Sequence, residues 1–222
     1  VPPDDLEAAL RALPILGYRG VNITVPHKEN ALQICNELDE SSSQIGAINM
    51  VTVTKDGMLA GRNTDGVGFL ENLRDGSEWK PGDGPVVVLG AGGAARAVIA
   101  ALKDVAVPEI RICNRTLSRA EALASTFGSR CVAVDWGNRD LSLRGATLLV
   151  NATSLGMAGQ PPIEIALDAL SPKAVVNDIV YVPLETPLLA AARARGNPAV
   201  DGLGMLLHQA RPAFEAWFGK LP

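Results

Sequence analysis

Histidine and cysteine are scarce in this chain of 222 residues, with two of the first and three of the second. His27 and His208 lie too far apart to form a local zinc motif. Cys35, Cys113 and Cys131 are odd in number and lack metal-ligand spacing, so no metal site is expected. Cys113 and Cys131 fall in predicted strands and read as small core residues in a reducing compartment. No apolar run approaches the ~20 residues of a membrane span. No signal-peptide pattern is present either, so a cytoplasmic protein is expected. The formal net charge of −4 gives no general pull toward nucleic acid or an anionic membrane. Internal repeats and low-complexity tracts are absent.

What the chain has is apolar material, 47% of its residues, enough for one large domain or two small ones. The most informative stretch is PVVVLGAGGAAR. Val86 to Leu89 forms a short β-branched run that feeds a turn containing Gly90, Ala91, Gly92 and Gly93. An Ala-rich helix follows from Ala94. Gly90 permits the tight turn, Gly92 lets backbone N–H groups approach a pyrophosphate, and Ala95 keeps the helix close to the strand. The helix N-terminus then offers unpaired N–H groups and a positive dipole end to phosphates. The alternative is a glycine-rich turn that only joins strand to helix.

The next strand discriminates between dinucleotides. Its predicted span is 109–113. A cofactor with a free ribose 2′-hydroxyl usually meets Asp or Glu at this tip. Here the tip carries Asn114, Arg115 and Thr116, with Arg119 one turn further on. Guanidinium groups match a phosphate in charge and fork geometry, so the pattern favours NADP over NAD. Two arginines on a solvated face are the alternative.

The remaining elements divide the chain. A helix is predicted over 3–13, a strand over 18–25 and a helix over 27–38. Two strands over 47–54 and 58–61 form a hairpin through Lys55-Asp56-Gly57. A helix runs from Asn63-Thr64-Asp65-Gly66 to about Arg74, and the Gly- and Pro-rich segment 75–85 suits a domain boundary. Beyond it, strands at 86–89, 109–113, 131–134, 147–151 and 174–178 alternate with helices at 94–103, 117–127 and 185–195. That rhythm predicts an α/β fold with a Rossmann-like, doubly wound parallel sheet. A last helical segment begins at Gly202, with Pro212 expected to bend or split it. The expected division is a smaller α/β substrate-binding domain over 1–64, a dinucleotide-binding domain over 65–200, and a C-terminal helix over 201–222 that completes the first. A small-molecule site is expected in the cleft between them.

NITVPHK is the second informative segment. It places Lys28 in the first turn of a predicted helix, where a cation opposes the dipole at a cost of about 0.3–1 kcal/mol. Local rules broken without visible gain often mark functional sites. Asp65 is the natural partner, at the start of another helix. A lysine on a solvated face and an aspartate that only caps its helix are the plain alternatives.

NITVPHK, GAINMV, GRNTDG, GAGGAAR, NRTLSR, NATSLGM, DIVYVP and DGLGMLLHQA occur in this order. Together they resemble the shikimate dehydrogenase family from about residue 18 onward. The resemblance implies reversible, NADP-dependent reduction of 3-dehydroshikimate to shikimate by a monomer or homodimer. It implies Lys28 as catalytic lysine and Asp65 as its partner, with Thr24, Asn49, Tyr181 and Gln209 touching substrate. Gly90, Ala91, Gly92, Gly93 and Ala94 correspond to the pyrophosphate turn. Asn114, Arg115, Thr116 and Arg119 correspond to the 2′-phosphate clamp, Ile179 and Gly202 to positions near the nicotinamide, and Glu40 to a minor cofactor contact. Read alone, Tyr181 is a half-buried aromatic, Asn49 a turn residue and Gln209 an exposed helix residue. A relative acting on quinate, with relaxed cofactor choice, and a non-catalytic NADP-binding remnant are the rival readings. The family pattern begins with a strand–helix unit whose Ser-x-Ser pair grips the substrate carboxylate. This chain lacks the unit, so a longer product is expected, and without it a neighbouring strand edge is left uncovered.

Overall fold

The computed structural model describes residues 1–222. The first lobe contains α1 (Leu6–Ala12), β1 (Gly20–Asn22), α2 (Lys28–Ile34), β2 (Glu37–Leu38), α3 (Glu40–Ile45), β3 (Met50–Val53) and β4 (Leu59–Arg62). Its strands form a four-stranded sheet in the order β1-β3-β4-β2. The β3–β4 hairpin is antiparallel, with Met50 opposite Arg62, as its Asp-Gly turn predicts. β1 pairs only with β3 and so lies at an edge. Leu6, Leu10 and Leu13 meet Ala31, Ile48, Val51 and Leu59 in a small core beneath the sheet.

Helix α4 (Asp65–Gly76) leads out of this lobe. The second lobe runs through β5 (Val86–Leu89), α5 (Gly93–Asp104), β6 (Ile110–Asn114), α6 (Leu117–Phe127), β7 (Cys131–Asp135), α7 (Arg139–Ser142), β8 (Leu148–Asn151), β9 (Val175–Asp178), α8 (Pro187–Ala194) and β10 (Ala199–Val200). Its six strands are all parallel, in the order β10-β9-β8-β5-β6-β7. In chain order this is 6-5-4-1-2-3, a Rossmann sheet whose direction reverses between β5 and β8. The strands are apolar on both faces because both are covered. Val86 and Val88 enter the core that holds Phe69, Val98 and Leu102. Val87 and Leu89 enter the opposite one with Leu149, Leu188 and Leu189.

Helix α9 (Leu203–Phe218) returns to pack along α4. Two expectations need correction, and one helix stands where none was expected. The predicted helix over 27–38 stops at Ile34, because Asn36 pairs with Leu59 through both backbone and side chain and draws β2 in beside β4. Helix α3 was unmarked by the sequence, its ESSSQI offering no apolar stripe. Pro212 neither splits α9 nor ends it. Proline removes one backbone hydrogen bond, but buried Met205 and Ala213 hold the turns on either side. No helix is long and apolar enough to cross a membrane, and no cluster of three or more His, Cys, Asp or Glu side chains is placed to hold a metal ion.

Candidate active site

Lys28 is the first residue of α2 and Asp65 the first of α4. The Lys28 Nζ lies 2.5 Å from Asp65 Oδ2, and the side chains are only 13% and 5% exposed. The carboxylate that a helix-capping reading would turn to its own N–H groups therefore faces the lysine instead. Its other oxygen, Oδ1, accepts from Asn49 Nδ2 at 2.8 Å. The Asp65 N–H donates to Asn63 Oδ1 at 3.0 Å, and Asn63 is anchored to the Ala47 carbonyl at 2.9 Å. Asn49 is a buried hub rather than an open turn residue. Its Oδ1 accepts from the Thr64 N–H, and its Nδ2 also reaches Gln209 Oε1 at 2.8 Å. Thr64 Oγ1 donates to the Gln209 carbonyl at 2.8 Å. Four residues far apart in sequence, Lys28, Asn49, Asp65 and Gln209, thus form one polar cluster where α2, the loop before β3, α4 and α9 converge.

The cofactor elements face this cluster. Gly90 has φ +113°, a conformation open to glycine, and donates its N–H to the Cys113 carbonyl at 2.8 Å, tying the turn to the tip of β6. A side chain at Gly92 would meet only open space, and the N-terminus of α5 receives no side-chain cap. That free, uncapped helix end is a cradle for an anion. At the tip of β6, Asn114 Nδ2 donates to the Thr116 carbonyl at 2.9 Å, and α6 also starts without a side-chain cap. Arg115 and Arg119 are exposed there, and neither forms an ion pair. These residues fit a dinucleotide with an additional phosphate. The lobes touch here. A Cβ on Gly93 would lie 3.2 Å from Lys28 Cβ.

Other residues singled out by the sequence sit around this centre. Thr24 is exposed in the turn entering α2, with its carbonyl accepting from the His27 N–H at 2.9 Å. Tyr181 is exposed in the loop after β9. Ile179 and Gly202 are neighbours, the Gly202 N–H donating to the Val180 carbonyl at 3.2 Å. Glu40 stands apart. It opens α3 in a surface groove with Ala100, Lys103 and Asp104, in the last turns of α5. The glycine turn lies at the other end of that helix. The sequence reading missed Asn63 and Thr64 as supports of Asp65. Their signal was the Asn-Thr-Asp-Gly run itself, read only as a helix start.

A Rossmann sheet facing a second, smaller sheet, with a lysine–aspartate pair between them, defines a two-lobed, dinucleotide-dependent oxidoreductase. Residues 1–51 match the family description "Shikimate dehydrogenase substrate binding domain", residues 80–157 "Shikimate / quinate 5-dehydrogenase", and residues 202–222 "Shikimate 5'-dehydrogenase C-terminal domain". The shikimate dehydrogenase (NADP(+)) of Paramagnetospirillum magneticum is 57% identical over all of this chain and 81% of its own length. That of Rhodospirillum rubrum is 56% identical over all of this chain and 80% of its own. The shikimate 5-dehydrogenase of Thermus thermophilus, solved with NADP(H) and shikimate, superposes with a TM-score of 0.89 at 39% identity, covering all of this chain and 81% of that one. A quinate dehydrogenase from Corynebacterium glutamicum, solved with NAD, gives 0.90 at 37%, covering 98% of this chain and 79% of that one. The chain belongs to the shikimate dehydrogenase family.

Proposed function

We propose that this chain catalyses the reversible, NADP-dependent reduction of 3-dehydroshikimate to shikimate, a step of chorismate and aromatic amino-acid biosynthesis. The single observation that carries the reading is the Lys28–Asp65 pair, its aspartate buried, lying against the glycine turn. The bound cofactor supplies the hydride and, in reverse, accepts it. The protein then has a proton to handle and a geometry to hold. In the reducing direction Lys28 Nζ donates its proton to the carbonyl oxygen. In the oxidising direction neutral Lys28 takes the hydroxyl proton. Asp65 orients the lysine and accepts a hydrogen bond from the substrate hydroxyl.

Asn49, Gln209, Thr24 and Tyr181 contact the substrate in this reading. Gly90 to Ala94 hold the pyrophosphate, Asn114, Arg115, Thr116 and Arg119 hold the 2′-phosphate, and Ile179 and Gly202 flank the nicotinamide. Glu40, beside the last turns of α5, is the most remote of the cofactor contacts in this reading. Residues 1–64 and 201–222 serve the substrate and 65–200 the cofactor. The unpaired Arg115 and Arg119 and the NADP(+) in the names of the relatives at 50–57% identity favour this reading over quinate with NAD.

The test is a matrix of steady-state assays with shikimate and quinate against NADP and NAD. Shikimate with NADP is expected to give the highest kcat/KM. Lys28→Ala should lower turnover by ~10²–10⁴ with NADPH affinity unchanged. Near-normal turnover in that variant would overturn the reading.

A further inference from the structure

Asp178 is the one buried carboxylate that this chemistry leaves unused. It ends β9, is fully buried, and has no cation beside it. Burial pushes its carboxyl above the usual carboxylate range, against hydrogen bonds from Thr186, Val180 and Asn151. A charged group placed so opposes folding, and a nonpolar residue would fill the space with no such desolvation penalty.

Its hydrogen bonds show what it holds. Oδ1 accepts from the Val180 N–H at 3.1 Å and from Asn151 Nδ2 at 2.9 Å. Oδ2 accepts from Thr186 Oγ1 at 2.7 Å. Asn151 is its register partner on β8. Asn151 in turn fixes the loop after β8, accepting from Thr153 Oγ1 at 2.7 Å and donating to the Leu155 carbonyl at 3.0 Å. Thr186 caps α8 through the Leu189 N–H. The two loops are stitched again where the Ala158 N–H meets the Val182 carbonyl at 2.8 Å. Tyr181 therefore sits between two clamped residues. Val180 is held at its N–H by Asp178 and at its carbonyl by Gly202, and Val182 is held by Ala158. The Tyr181 side chain itself is exposed.

We propose that Asp178 is a positioning residue for the reaction: by clamping the loop after β9 to the end of β8 and to α8, it aims Tyr181 at the substrate. The inference rests on the substrate role given to Tyr181 above. Asp178→Asn keeps the shape but replaces an acceptor by a donor, and Thr186→Val removes the hydroxyl. Each should raise KM for shikimate by about tenfold while the NADP dissociation constant rises by less, since Ile179 at the nicotinamide shares the clamped loop but the phosphate contacts lie on β5 and β6. Thr186→Ser should restore wild-type KM. Tyr181→Ala should raise KM alone, and adding Asp178→Asn to it should raise KM no further, as for two residues acting in series.

Unchanged KM in both clamp variants, NADP affinity lost to the same degree, or KM effects that multiply in the double variant would each overturn the proposal. A fall in Tm and active fraction at unchanged KM would reduce Asp178 to a structural role. Hydrogen exchange on the ligand-free protein separates this inference from the functional reading. If shikimate is not turned over by the wild type, that reading fails, yet the Val180 and Leu189 amides should still exchange faster in Thr186→Val. Exchange that stays slow there removes the clamp itself.

Discussion

Lys28 pays for its position with an opposing helix dipole and is compensated by Asp65 at 2.5 Å. The lysine is confined from the other side by Gly93. This glycine opens α5 with an ordinary negative φ, so alanine is conformationally acceptable there, yet its Cβ would fall 3.2 Å from Lys28 Cβ and 3.5 Å from Cδ. Gly93→Ala should therefore lower kcat about tenfold without lowering the melting temperature, because it displaces the amine while helix propensity gains. A paired measurement of kcat and Tm checks this. Gly93 was legible in the sequence as part of a phosphate turn, but its service to Lys28 was not. That contact joins residues from two lobes, and no spacing rule records it.

Helix α9 brings Gln209 to the site because α4 lets it approach closely. A Cβ on Gly68 would lie 2.7 Å from the Met205 carbonyl and 2.8 Å from Gln209 Cβ. Gly68→Ala should push α9 outward, destabilise the fold by about 1–3 kcal/mol and raise KM for shikimate. Chemical denaturation and steady-state kinetics would report the two effects. The strands and long helices of the second lobe were readable because β-branched runs and helical spacing are strong local signals. β5 and α6 fall where the sequence puts them. The short elements were not readable. β2 exists because Asn36 finds Leu59, and β10 because two residues pair with β9, so both are consequences of neighbours already in place.

The two lobes meet through α4, α5 and α9. Buried Asn49, Thr64 and Asp65 lie at this meeting, and Asn151 and Asp178 end their strands at the sheet's C-terminal edge. Asp178 gives the whole molecule a pH dependence of known sign. Its carboxyl keeps its proton to higher pH in the folded protein than in the unfolded chain, where the value is about 4. Between those two values unfolding releases a proton, so rising pH weakens the fold. The urea midpoint of the wild type minus that of Asp178→Asn should fall as pH rises from about 4, and level off above the folded value. A difference that does not change with pH would contradict this.

The sequence by itself determined the periodicities, the glycine turn, the basic tip of β6 and the residue types for proton transfer, because each depends on near neighbours. Only the tertiary structure decided that Lys28, Asn49, Asp65 and Gln209 share one cluster, that Glu40 stays out of it, and that Asp178 clamps the loop carrying Tyr181. Those are contacts between distant segments, selected by how two sheets and three helices pack rather than by any run of residues.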